Sequence, residues 1–84
     1  MNDSDLSPQQ KLLLAMHNTG AIMGKSGKTV EELAGLTGIS MEDTTRLIAD
    51  HTAAGYLGEA VEEGGVKKYF LTGRGIIRVS SLFT

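Results

Sequence analysis

Residues 29–55 read TVEELAGLTGISMEDTTRLIADHTAAG, a pattern that predicts two short helices joined by a tight turn. Thr29 is suited to cap the first helix, with Glu32 as its capping partner three residues later. Ser40 is suited to cap the second helix, whose first turn carries acidic residues that favour the positive end of the helix dipole. Because so few residues separate the two helices, they must meet at a sharp corner.

The hydrophobic periodicity sets the limits of these helices and their inward faces. The first helix, residues 30–36, is predicted to direct Leu33 and Leu36 toward the core. The second helix covers residues 41–54, and its inward residues are predicted to be Thr44, Leu47, Ile48, His51 and Ala54. In the turn between the helices, Gly38 can adopt the left-handed backbone conformation that a sharp corner needs.

The segments on either side predict one further helix and a β-hairpin. Before the corner, Ser7 caps a helix that runs to about Asn18 and carries an apolar stripe along one side. After it, residues 56–62 and 66–71 are rich in β-forming side chains and flank Glu63-Gly64-Gly65. Because paired glycines readily adopt the positive φ angles of tight hairpin turns, the two segments are predicted to pair as antiparallel strands.

The remaining segments carry weaker patterns. Residues 73–83 are predicted to form a last helix capped by Thr72, although their alternating apolar positions also fit a strand. Residues 1–6 are polar and predicted to be disordered, and the glycine-rich residues 20–28 are predicted to form a loop. The chain, residues 1–84, is predicted to be a single domain because its length leaves no room for a second.

Two features of the sequence resemble the winged-helix family. Ala34 and Gly38 lie four residues apart, the spacing at which helix-turn-helix proteins place a small residue at the helix crossing and a glycine in the turn. The motifs Gly55-Tyr56-Leu57 and Tyr69-Phe70-Leu71-Thr72 stand where such proteins open and close the wing. Thr44 departs from the family pattern, because an aliphatic side chain is more usual at that position.

Over residues 8–83 the chain resembles the winged helix-turn-helix DNA-binding domain of small bacterial and archaeal transcriptional regulators. The resemblance implies a mainly α fold with a small antiparallel β-hairpin (α+β), in which a three-helix core precedes a two-stranded wing and a C-terminal helix. It implies a DNA-binding transcriptional regulator that contacts double-stranded DNA through its helix-turn-helix (30–54) and its wing (56–71). The side chains expected to contact DNA are Ser40, Met41, Thr45, Arg46, Ala49, Lys67 and Lys68.

The charge distribution leaves a second interpretation open. The formal net charge is −2, whereas proteins that bind phosphates usually carry an excess of Lys and Arg. The second helix of the motif has one base, Arg46, against three acids at positions 42, 43 and 50. Residues 64–84, by contrast, contain bases and no acids. The alternative is therefore a winged-helix protein–protein interaction module without sequence-specific DNA binding.

Length and composition argue against several other classes of protein. A chain of 84 residues is too short to enclose a substrate pocket and a separate catalytic apparatus, and it has no cysteine for a thiolate nucleophile or disulfide. No apolar run approaches the ~20 residues that cross a bilayer, and no basic segment opens a signal peptide, so a cytoplasmic location is expected. The apolar side chains of residues 73–83 exceed what one small core buries, which leaves a homodimer through this segment open.

Residues 24–29, GKSGKT, resemble the end of a phosphate-binding loop. The full motif needs an earlier glycine and a preceding buried strand, and neither is present, so a nucleotide site is not predicted. Lys25 and Lys28 are minor candidates for contacts with DNA phosphates. His17 and His51 lack neighbours at metal-ligand spacing and are expected at the surface or along helix sides. The sequence therefore predicts no metal, no cofactor and no enzymatic activity.

Overall fold

The computed structural model describes residues 6–83, which form four α-helices and a two-stranded sheet. The elements are α1 (Pro8–Asn18), α2 (Val30–Thr37), α3 (Met41–Ala53), β1 (Leu57–Val61), β2 (Lys67–Leu71) and α4 (Gly73–Ser80). Short 3₁₀ turns cover Gly24–Ser26, Glu63–Gly65 and Ser81–Phe83. The predicted order of elements and the α+β class are confirmed, and the last segment is helical rather than extended. Within residues 6–83, no helix has the length and apolar character needed to span a bilayer.

The predicted caps fix the corner between α2 and α3. The Thr29 hydroxyl accepts the backbone N–H of Glu32, and the Glu32 carboxylate accepts the backbone N–H of Thr29. The Ser40 hydroxyl accepts a backbone N–H in the first turn of α3. Gly38 ends α2 with φ 74°, and its N–H donates to the Ala34 carbonyl oxygen at 2.9 Å. A residue with a Cβ would be strained at that φ, so glycine is required there.

One hydrophobic core joins the helices to the hairpin. Its buried members are Leu12, Leu13, Met16, Ala21, Leu33, Leu47, Ile48, Leu57, Leu71 and Val79. Thr44, the departure from the family pattern, is fully buried beside them. Its hydroxyl donates to the Ile39 carbonyl oxygen at 3.4 Å, so the polar group is satisfied inside the corner.

The hairpin has the predicted antiparallel arrangement. Leu57 pairs with Leu71 at the base of the strands, and Val61 pairs with Lys67 beside the turn. Gly64 and Gly65 have φ angles of 85° and 79°. These positive values turn the chain back on itself within three residues, as the sequence predicted.

Three predictions about burial are wrong. Leu36 is 51% exposed, because α2 packs through Leu33 while Leu36 lies on the rim of a groove between α1 and α2. Ala54 is exposed, because α3 ends at Ala53 and the following residue only caps the last turn. Leu6 is buried rather than disordered, and the other residues of the segment predicted to be disordered, 1–5, lie outside the described residues.

One aromatic side chain also differs from expectation. The sequence favours a core position for Phe70, but its side chain is half-buried because its ring lies across Gly58 on the hairpin. His51 is buried in α3, in agreement with its predicted place on the inward side of the helix. The sequence favours partial burial for Tyr56 and Tyr69, and both are half-buried.

Candidate nucleic-acid interface

The exposed face of α3 carries the side chains that were predicted to contact DNA. Ser40, Met41, Thr45, Arg46 and Ala49 are all exposed. Leu47 and Ile48 hold the opposite face of the helix in the core. Because residues three and four apart share one side of a helix, positions 42, 45, 46 and 49 form a continuous stripe. The structure therefore brings the predicted α3 residues together on one surface.

Arg46, the one base on α3, is engaged locally. Its guanidinium donates to the carboxylate of Asp43, three residues earlier on the same helix. Both side chains are more than half exposed, and an exposed pair at this spacing is worth only a few tenths of a kcal/mol. Arg46 can therefore exchange Asp43 for an external acceptor at little cost.

The hydroxyl of Thr45 is also committed within the helix. It donates to the Met41 carbonyl oxygen at 2.8 Å. The lone pairs of the hydroxyl still face outward, so Thr45 can accept a hydrogen bond without disturbing α3. An amino group on a base edge is a donor of this kind.

The two lysines on the hairpin are paired with carboxylates of the same hairpin. Lys67 Nζ lies 3.6 Å from an oxygen of Glu59, and Lys68 Nζ lies 3.2 Å from an oxygen of Glu62. The Lys67 side chain is 60% exposed, whereas that of Lys68 is 25% exposed. Both lysines thus lie on the hairpin, as predicted, but each is partly neutralised there.

A groove of about 430 Å³ separates α3 from the hairpin. Its lining residues are Val30, Thr45, Ile48, Ala49, Thr52, Ala53, Glu59 and Tyr69. Thr45 and Ala49 belong to the exposed stripe of α3, and Glu59 is the partner of Lys67. The stripe on α3 and Lys67 on the hairpin therefore border one continuous surface, whereas Lys68, the next residue of β2, lies on the other face of the sheet.

The sequence analysis missed a contact that extends this surface. Residue Lys28 pairs with Tyr69 as an isolated antiparallel bridge, in which each backbone N–H donates to the other residue's carbonyl oxygen at 2.8 Å. The segment predicted to be a loop is therefore attached to the edge of the hairpin. The sequence feature that could have indicated this attachment is the pair of glycines at positions 24 and 27. Both lie close to the hairpin in the structure.

Histidine and carboxylate groups form no obvious metal site in this part of the chain. Among residues 6–83, no three side chains of His, Cys, Asp or Glu come close enough to hold an ion. His51 Nε2 instead lies 3.1 Å from the carbonyl oxygen of Gln9, in the first turn of α1. This histidine therefore links α3 to α1.

Comparison with known proteins places this geometry in a structural class. Neither a protein-family model nor a curated protein sequence matches the chain. The DNA-binding fragment of TubR from Clostridium botulinum superposes with a TM-score of 0.77 at 21% identity, over 89% of this chain and 93% of that one. A candidate DNA-binding protein from Ralstonia eutropha superposes with a TM-score of 0.76 at 24% identity, over 94% of this chain and 99% of that one.

A longer regulator shares the same fold over part of its length. A MarR family transcriptional regulator from Silicibacter pomeroyi gives a TM-score of 0.77 at 19% identity over 92% of this chain. This chain spans 48% of that protein. At such identities the likeness concerns the fold alone. The chain therefore has the winged helix-turn-helix fold, with α2 and α3 as the helix-turn-helix and the hairpin as the wing.

Proposed function

We propose that this chain is a DNA-binding transcriptional regulator that contacts double-stranded DNA with its helix-turn-helix (30–54) and wing (56–71). The observation that carries the proposal is the continuous exposed surface formed by the outward stripe of α3, the adjoining groove and the wing. In winged-helix complexes a helix in this position enters the major groove. The names of the structural neighbours, a DNA-binding fragment and a transcriptional regulator, support the same function.

The side chains of α3 suit contacts with base edges. The Arg46 guanidinium can donate two parallel hydrogen bonds to guanine. The Thr45 hydroxyl can accept from a base amino group, and the Ser40 hydroxyl can donate to a phosphate. Met41 and Ala49 offer apolar contact to a thymine methyl group. Lys67 and Lys68 on the wing would contact phosphates, which position the protein without reading sequence.

One observation favours a second function, a protein–protein interaction module. Arg46 and the two wing lysines, at positions 67 and 68, are each salt-bridged to an acid of the same helix or the same hairpin. A surface neutralised in this way attracts DNA weakly and suits a partner with mixed charges. We rank this function second, because exposed salt bridges exchange their partners readily.

The proposal includes a homodimer that acts in the cytoplasm and catalyses no reaction. Ile77 on α4 is 72% exposed, the largest exposure among the large apolar side chains of residues 6–82. A contact between two copies through α4 would cover Ile77. Two linked helix-turn-helix units would then contact two DNA half-sites, and the distance between the units would set the half-site spacing.

Arg46→Ala tests the proposed function. If Arg46 contacts a base, the variant should lose roughly 1–3 kcal/mol of binding free energy on a duplex selected for the wild-type protein. Affinity for a random duplex should change little. Lys11→Gln on α1 removes the same charge away from the surface and serves as the control. Equal, weak binding of wild type and variant to both duplexes at fixed salt would favour the protein-interaction module.

A further inference from the structure

Residues 24–28, GKSGK, form part of the wing rather than a free loop. The backbone bridge between Lys28 and Tyr69 ties the end of the segment to β2 through two hydrogen bonds. At its start, Gly24–Ser26 forms a 3₁₀ turn that packs on the hairpin near Ala60. The segment is thus held at both ends against the same sheet. We name residues 24–28 the wing flank.

The two glycines of the wing flank allow this close packing. A Cβ at Gly27 would lie 3.0 Å from the Tyr69 carbonyl oxygen and 3.0 Å from the Lys68 Cβ. A Cβ at Gly24 would lie 3.3 Å from that of Ala60. Contacts this short force the neighbours apart, so the two glycines let the flank approach the hairpin. The glycine spacing that resembled a nucleotide-binding loop is explained by packing against the wing.

The lysines of the wing flank differ from those of the hairpin in that they form no salt bridges in the described part of the chain. Lys25 and Lys28 form no salt bridge with any residue in the range 6–83. Lys28 does lie near Glu32, whose pKa is lowered chiefly by the backbone N–H of Thr29 and further by the charges of Lys28 and Lys68. The wing flank therefore adds cations close to Lys68, and these cations are not held in salt bridges.

The flank adjoins the proposed DNA surface through Thr29. Val30 and Tyr69 line the groove between α3 and the hairpin, and they also line a second groove of about 350 Å³. The second groove is completed by Thr29, Glu31, Val66 and Lys67. Thr29 follows Lys28 directly in the chain. The groove beside α3 therefore leads, past Val30 and Tyr69, to the residue that directly follows the wing flank.

We propose that the wing flank is a second phosphate-contacting element, in which Lys25 and Lys28 bind the DNA sugar-phosphate backbone beside the wing. The inference rests on the proposed function. Because the wing lysines are partly neutralised by Glu59 and Glu62, the flank supplies the cations that meet phosphate without first breaking a salt bridge. Phosphate contacts carry no sequence information, so the flank raises the affinity for every duplex equally.

The double variant Lys25→Gln/Lys28→Gln tests this element. The probe is a random duplex, and binding is followed by fluorescence anisotropy between about 50 and about 200 mM salt. Each lost phosphate contact lowers the slope of log affinity against log salt by about 0.9, so the double variant should lower it by up to about 1.8. The control Lys11→Gln/Arg78→Gln removes two positive charges from α1 and α4 and should change the slope much less.

The possible results separate the inference from the proposed function. A wild-type protein that binds no duplex would overturn both. Wild-type binding with an unchanged slope in Lys25→Gln/Lys28→Gln would overturn the wing flank alone, and so would an equal fall of the slope in the α1 and α4 control. Gly27→Val adds a variant that retains every charge but displaces the flank from β2. If its circular dichroism is native, the slope should fall in this variant too, and an unchanged slope would contradict the inference.

Discussion

The imidazole Nε2 of His51 on α3 lies 3.1 Å from the carbonyl oxygen of Gln9 on α1. A carbonyl oxygen can only accept, so Nε2 carries the hydrogen of this bond. The His51 side chain is buried, and the centroid of its ring lies 6.0 Å from that of Tyr56. Through this contact the proposed DNA-reading helix is attached to the first turn of α1.

The stability of the fold should depend on the protonation of His51. Burial is the main cause that lowers the pKa of His51 below 6.5, and the charge of Arg78 lowers it further, against the opposing effects of Gln9 and Asp50. As the pH falls below about 6.5, the unfolded chain binds a proton at this position before the folded chain does. The free energy of unfolding is therefore expected to be highest above that pH and to fall as the pH approaches the lowered pKa.

Urea denaturation between about pH 5 and about pH 8 measures this dependence. His51→Gln should be less stable at the upper end but should lose much of the fall in stability across this range. His17→Gln replaces an exposed histidine and should keep the wild-type dependence. Parallel curves for the wild type and His51→Gln would show that His51 is not the group responsible.

Local signals made the helix-turn-helix and the hairpin predictable from the sequence. The partners of these signals are close in the chain: Thr29 and Ser40 each cap a helix through a residue three positions later, and the left-handed Gly38 bonds to a residue four positions earlier. The two glycines of the hairpin turn are equally local. Such interactions leave their pattern in the sequence because the partner lies three or four positions away.

The features that the sequence analysis missed depend on distant partners. The partner of His51 is Gln9, and the partner of Lys28 is Tyr69, each about forty positions away in the chain. The partial neutralisation of Lys68 depends on strand register, which brings Glu62 back beside it across the turn. Periodicity cannot reveal these pairs, because it describes one element at a time. The exposed stripe on α3 could be predicted from the sequence, whereas the salt bridges of the α3 and wing bases could not.

Gly75 and Gly73, at the start of α4, offer a paired test of packing. A Cβ at Gly75 would lie 2.1 Å from the Tyr56 carbonyl oxygen, and backbone atoms there cannot move aside cheaply. Gly75→Ala should therefore lower the free energy of unfolding by more than about 2 kcal/mol. Gly73→Ala meets no atom within 4 Å and should leave stability unchanged or raise it by up to about 1 kcal/mol. Equal effects of the two variants in urea denaturation would contradict the close approach of α4 to Tyr56.

Ile77→Asp tests the proposed homodimer. Burial of an isoleucine contributes about 1.5–3 kcal/mol, so an aspartate at the contact should weaken dimerisation at least about tenfold. Val61→Asp is the matched control, because Val61 is similarly exposed, at 62%, but lies on the wing. Sedimentation equilibrium at several concentrations measures the dissociation constant. A monomeric wild-type protein, or equal weakening by both variants, would argue against a dimer through α4.

Glu62→Gln should tighten DNA binding. The substitution removes the carboxylate that lies 3.2 Å from Lys68 Nζ, which frees this lysine for a phosphate. An exposed salt bridge is worth about 0.2–1 kcal/mol, so affinity for a random duplex should rise by up to about fivefold. The salt slope should steepen by up to about 0.9, because Lys68 then makes one additional phosphate contact.

A variant of the neighbouring Glu63 is the control for Glu62→Gln. It distinguishes the release of Lys68 from the effect of removing one negative charge from the wing. Glu63→Gln removes the same charge from the wing turn, but Glu63 forms no salt bridge within residues 6–83. It should tighten binding less than Glu62→Gln and leave the salt slope unchanged, as measured by anisotropy on the same duplex. Equal effects of both variants would mean that only the charge of the wing matters. Weaker binding by Glu62→Gln would mean instead that the salt bridge holds Lys68 in the orientation that meets DNA.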